Sequence, residues 1–180
     1  MPQAHEHIRL ADLVERDQRE FGHHAPVESD LHLAHALPAP HRREDYRHER
    51  LITTRWMDND AYAHVNNVVY YSWFDTVVNA WLIERGLLDI ERSPSFGLVV
   101  ETGCQYFSPI AFPDPVGGAL RVRSLGRTSV RYEVALFRGD DTLASAQGHF
   151  VHVHVDRTTR RPVELPPPLR QALQEILAPA

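Results

Sequence analysis

Five residues able to move protons, carry negative charge or donate hydrogen bonds, Asp58, Asp60, His64, Asn66 and Asn67, fall within ten positions. That is denser than a connecting loop needs. Directly after them, apolar residues recur at 70, 74, 77, 78, 81 and 82, the spacing of a helix face, while Ser72, Asp75, Thr76 and Asn79 collect on the other side. Gly86 supplies the stop. The polar cluster therefore stands just before a long helix. Backbone N–H groups without intrahelical partners and the positive end of the helix dipole favour developing negative charge there. A carboxylate on one side of a carbonyl and backbone donors on the other are what acyl transfer requires. Asp60 and Asn66 equally suit turn and capping roles, and residue types alone leave both readings open.

The rest of the chain reads as the frame for that cluster. Residues 46–55 form the expected first strand, and the helix spans about 68–85. Residues 97–107 are apolar enough for a strand buried on both faces, the position of a central strand. Pro109, Pro113 and Pro115 mark a loop. Leu120 and Val122 alternate with Arg121 and Arg123, and Val130, Tyr132, Val134 and Leu136 alternate with Arg131, Glu133 and Ala135, the period of strands with one wetter face. A turn at Arg138-Gly-Asp-Asp leads to a last strand at about 143–155. Prolines 166–168 precede a short amphipathic helix carrying Leu169, Leu173, Ile176 and Leu177. A leading strand, one helix and four further strands make an α+β pattern.

Residues 1–45 read as an N-terminal extension, a marginal helix at about 4–21 followed by a flexible linker, with the domain proper at 46–180. The extension holds seven of the twelve histidines, a composition that can chelate metal. No H-E-x-x-H or Cys-His spacing accompanies them, and solvated histidines are the expectation. Its nine acidic against five basic residues, and a whole-chain charge of −5, disfavour a nucleic-acid partner. All 19 basic residues are arginines. The single cysteine, Cys104, rules out an intrachain disulfide and reads as a small core residue. No apolar run is long enough to span a membrane, so the expectation is a soluble, cytoplasmic protein.

The run Asp-Asn-Asp-Ala-Tyr-Ala-His-Val-Asn-Asn at 58–67, followed by an aromatic-rich helix, closely resembles the D-x-D-x-x-G-H-V-N-N signature of hotdog-fold acyl-CoA thioesterases of the 4-hydroxybenzoyl-CoA thioesterase type. The likeness continues through 97–107 and 126–133. It implies a hotdog fold, an antiparallel sheet wrapped around a central helix, and hydrolysis of acyl-CoA to a free acid and coenzyme A without metal or cofactor. Carried over residue by residue, it implies Asp60 as nucleophile or general base and the backbone N–H of Asn67 as carbonyl donor. Asp58 stands behind them, and His64 orients water or contacts the substrate. Asn66, Tyr70, Tyr71, Glu101 and Arg127 are the candidate substrate contacts. Glu101 either pairs with an arginine or faces the site. The family's glycine before the histidine is Ala63 here, and its helix Ala-Arg pair is Val77-Val78. A homodimer or dimer of dimers is expected, because a curled sheet around one helix leaves an open strand edge. Two alternatives stand beside hydrolysis: a hotdog enoyl-CoA hydratase or dehydratase, and a non-catalytic acyl-CoA sensor.

Overall fold

Alternation of apolar and polar residues along the later segments produces one antiparallel sheet. The computed structural model describes residues 38–179; the expected helix at 4–21 lies outside them. β1 (His48–Thr53) comes first, followed by α1 (Asn67–Glu84), β2 (Ser95–Tyr106), β3 (Pro115–Leu125), β4 (Ser129–Arg138), β5 (Ala146–Asp156) and α2 (Pro167–Glu175). The strands lie in the order β1-β3-β4-β5-β2, and every neighbouring pair is antiparallel. The α+β reading and the hotdog arrangement are therefore both present.

α1 lies across one face of this sheet. Its Phe74, Val77, Val78 and Trp81 are at most 1% exposed and pack with Val116, Leu120, Tyr132, Val134, Leu136 and Phe150 in a single core. Two glycines let the helix come this close. A Cβ on Gly118 would stand 2.6 Å from the Val77 side chain, and one on Gly148 would stand within 2.5 Å of the Phe74 ring. Burying the helix face is the main source of stability for such a helix. α2 closes one end through Leu169, Ala172 and Leu173.

A smaller apolar cluster lies apart from this core, formed by Ala119, Ala135, Phe137 and Ala144 with Tyr46 packed against them. Tyr46 is held by His41 Nδ1 at 2.7 Å and by the Arg121 guanidinium over its ring. Residues 41–46 are thus laid against the sheet, with an isolated bridge from Arg42 to Leu143.

One expectation fails. The apolar run at 97–107 does not form a central strand buried on both faces: β2 is the last strand of the sheet. Leu98, Val99 and Val100 are 39%, 46% and 60% exposed. A continuous apolar run looks the same in sequence whether its second neighbour comes from its own chain or from elsewhere. Among the described residues no helix is long and apolar enough to cross a membrane.

Candidate active site at the start of the central helix

The loop between β1 and α1 is held by a carboxylate that faces inward. Asp58 is 1% exposed. It accepts hydrogen bonds from the backbone N–H of Arg55 at 2.7 Å, from Arg55 Nε at 3.0 Å and from Arg55 Nη2 at 2.8 Å. This pairing raises the Arg55 guanidinium above its ordinary value, chiefly through the hydrogen bond. The Asp58 carbonyl accepts the N–H of Asn66 at 2.8 Å, so the residue that begins the loop also sets where the helix begins.

Asp60 stands in a tight turn. Its N–H donates to the carbonyl of His64 at 2.8 Å, and its carbonyl accepts from Ala63 N–H at 3.1 Å. The turn requires Ala63 at φ 63°, a left-handed conformation that L side chains with a Cβ avoid. Asp60 Oδ1 accepts the Tyr62 N–H at 2.8 Å, and Oδ2 has no protein partner among the described residues. His64, at the other end of the turn, is exposed. Val65 pins the far side of the loop by donating to the Ile110 carbonyl.

Asn66 is the N-cap of α1, its side chain accepting the Val68 N–H at 3.1 Å, as short polar caps do. Asn67, the first residue of the helix, is exposed. Its carbonyl accepts the Tyr106 hydroxyl at 3.1 Å, which ties the helix start to the end of β2. Its N–H has no acceptor among the described residues and points from the positive end of an 18-residue helix. The loop therefore offers one accessible carboxylate oxygen and one free, dipole-assisted N–H, the two parts that attack on a carbonyl and oxyanion stabilisation call for.

The other candidates are placed differently. Tyr70 is 3% exposed, meets the Trp73 ring at a tilt and the Tyr106 ring edge-on, and burial raises its phenol to about 12. Tyr71 is half-buried and meets the Phe74 ring edge-on. Glu101 takes the arginine alternative. It accepts from Arg131 Nη1 at 2.9 Å and meets His149 Nε2 at 3.0 Å, on the sheet face opposite Phe150. Those hydrogen bonds, Arg131 first, lower its carboxyl. Arg127 sits in the β3–β4 turn, paired with Glu164 at 3.0 Å, at the opposite end of β3 from the loop. Within one chain, Asp60, His64, Asn66 and Asn67 come together, whereas Glu101 and Arg127 do not join them. Among the described residues no group of three or more His, Cys, Asp or Glu has an arrangement fit to hold a metal ion.

The role of Tyr106 as a brace on Asn67 was not read from the sequence. The signal available for it was an aromatic at the end of an apolar strand, which does not tell where its hydroxyl points. Asp58 as the buried anchor of the loop could have been suspected from Arg55 three residues earlier.

Residues 54–173 match the family model of the thioesterase-like superfamily. Among solved structures, the PA5185 protein of Pseudomonas aeruginosa strain PAO1 is 52% identical, covering 79% of this chain and 99% of its own, with a TM-score of 0.76. The PA2801 protein of the same species is 29% identical over 70% of this chain and 97% of its own, TM-score 0.66. A Thermus thermophilus thioesterase solved with coenzyme A and zinc is 26% identical over 74% and 96%, TM-score 0.62. No protein of curated function matches.

Proposed function

The chain belongs to the thioesterase-like superfamily, and from that premise we propose that it hydrolyses acyl-coenzyme A thioesters with Asp60 as the catalytic carboxylate. The observation that carries this is that one tight loop holds an Asp60 carboxylate oxygen and, at the helix start, an Asn67 N–H, each without a partner among the described residues. Hydrolysis breaks the C–S bond: the acyl carbon takes OH from water, and the coenzyme A sulfur leaves with the proton. Asp60 acts either by attacking the carbonyl carbon or by taking a proton from water. In both routes charge develops on the carbonyl oxygen, where the Asn67 N–H and the helix dipole stabilise it. His64, exposed beside Asp60, orients the water or contacts the substrate. The coenzyme A held by the Thermus thermophilus relative supports the choice of leaving group.

The proposal includes a second copy of the chain. β2 leaves an unpaired edge with Leu98, Val99 and Val100 exposed, a liability unless it is covered. Two-fold antiparallel pairing along β2 would set the Tyr106 end of one strand, beside its own Asp60 loop, against the Ser95 end of the other. The site would then lie at the subunit boundary.

A panel of acyl-CoA substrates scored by thiol release tests the reading. Release of thiol from saturated acyl-CoA supports hydrolysis. Hydration of 2-enoyl-CoA without thiol release would point to a hydratase, and binding without either reaction to a sensor.

A further inference from the structure

Tyr106 ends β2 and reaches back to the start of α1. Its hydroxyl donates to the Asn67 carbonyl at 3.1 Å, and its ring meets the Tyr70 ring edge-on with centroids 5.0 Å apart. The strand end that carries it is itself pinned. Tyr106 pairs with Ala146 of β5, and the N–H groups of Phe107 and Ser108 both donate to the Ser145 carbonyl.

The peptide groups on either side of Asn67 are held one by one. Each is a rigid plane, so fixing its carbonyl or its N–H sets the direction of the other. The Asn66 carbonyl, in the same plane as the Asn67 N–H, accepts the Val69 N–H at 2.9 Å. In the next plane the Val68 N–H donates to the Asn66 side chain at 3.1 Å, and the carbonyl is the one that Tyr106 holds. The two planes meet at the Asn67 Cα. The bonds to Asn66 come from the helix itself and fix the planes only relative to it. Among the described residues, the Tyr106 hydroxyl is the one hydrogen-bonding group from outside the loop and helix that reaches the backbone of residues 66–69. That hydroxyl is suited to donating. Burial first, then the neighbouring Cys104 thiol, raises the phenol above its ordinary value, and burial raises the thiol to about 11, so both keep their protons at neutral pH.

We propose that Tyr106 is a positioning residue for the oxyanion donor: by holding the Asn67 carbonyl, its hydroxyl aims the Asn67 N–H at the place where the thioester oxygen gains charge. This rests on the hydrolysis reading above and adds to it a residue that acts through another. A donor has to stand at hydrogen-bond distance from the position the oxyanion will take. Loosening its aim therefore slows the chemical step and leaves ground-state binding nearly unchanged.

Tyr106→Phe tests this, because it keeps the ring against Tyr70 and removes only the hydroxyl. On an acyl-CoA from which the wild-type protein releases thiol, kcat is expected to fall about tenfold with KM within about twofold. That is short of the roughly hundredfold or more lost when an oxyanion donor is removed outright, since the Asn67 N–H remains. With ¹⁵N-labelled asparagine, the Asn67 amide resonance should move in Tyr106→Phe while that of Asn79, in the later half of α1, stays in place. A second protein, with 3,5-difluorotyrosine at position 106, keeps the ring and the hydroxyl but ionises at lower pH. Its kcat should match wild type while the phenol is protonated and fall as the phenol ionises and stops donating, a readout that holds even if Tyr106→Phe fails to fold. Unchanged kcat in folded Tyr106→Phe, a raised KM with kcat retained, or an unmoved Asn67 amide would each overturn the inference. So would a difluorotyrosine protein that keeps the wild-type pH profile while its absorbance shows the phenol ionising. A wild-type protein that releases thiol from no acyl-CoA would overturn the hydrolysis reading, and this inference with it.

Discussion

Arg55 and Asp58 close the loop before the central helix through three hydrogen bonds between them, one from the backbone and two from the guanidinium. Asp58 then passes that constraint to Asn66 through its carbonyl. The position of the proposed catalytic turn thus depends on a residue that does not itself face the substrate. Asp58→Asn should keep the fold but weaken these charge-assisted bonds. A fall in melting temperature of roughly 5 °C is expected, with kcat reduced and KM changed less. Thermal unfolding and steady-state kinetics on the same preparation check this; unchanged stability would remove Asp58 as the anchor.

Asp60→Asn keeps size and shape and removes the charge. Loss of a nucleophile or general base predicts a kcat lower by about a hundredfold or more, with circular dichroism unchanged. Near-normal turnover in the folded variant would sink the assignment.

Ala63 holds a left-handed φ of 63° where glycine would carry no penalty. Relief of about 1–2 kcal/mol of local strain, less about 0.4–1 kcal/mol from the freer unfolded chain, predicts that Ala63→Gly is stabilising by roughly 0.5–1 kcal/mol. Urea unfolding at constant m-value reads it out. A destabilised Ala63→Gly protein would mean that the alanine methyl makes a contact worth more than the strain.

Burial, reinforced by His154, holds the His152 imidazole down at about 4 from an ordinary 6.5. Between those values the unfolded chain takes up a proton that the folded chain refuses. The folded state is therefore fully stable above pH 6.5 and loses stability as pH falls through this window. The loss from one such group approaches about 1.4 kcal/mol per pH unit. His154, lowered by burial as well, adds to it in the same direction. Urea midpoints at pH 7 and pH 5 should therefore differ more in wild type than in His152→Phe, and equal differences would show that His152 is not the group responsible.

If β2 pairs with a second copy, a charge in the middle of that edge should separate the copies. Val100→Arg, at a side chain 60% exposed in the single chain, should give a folded monomer by light scattering with thiol release reduced in parallel. A Val100→Arg protein that stays dimeric and fully active would place the interface elsewhere.

Much of this protein was legible from local pattern. The helix expected at 68–85 is found at Asn67–Glu84, because its apolar spacing and Gly86 are short-range signals that packing reinforces. The clustering of Asp60, His64, Asn66 and Asn67 follows from adjacency in the chain, which any fold preserves. Ala63 was marked as the departure from the family's glycine, and its positive φ follows from the turn that the neighbouring residues build. What the tertiary structure alone decided are relations across the sheet. The run at 97–107 carries enough apolar residues for a central strand, but strand order depends on which segments find one another, and β2 ended at the edge. Glu101 could have met a site or an arginine, and the register placed it beside Arg131 and His149. His152 alternates with valines like any strand residue, and only the folding of β2, β4 and α1 around it left its Nε2 buried without a partner among the described residues.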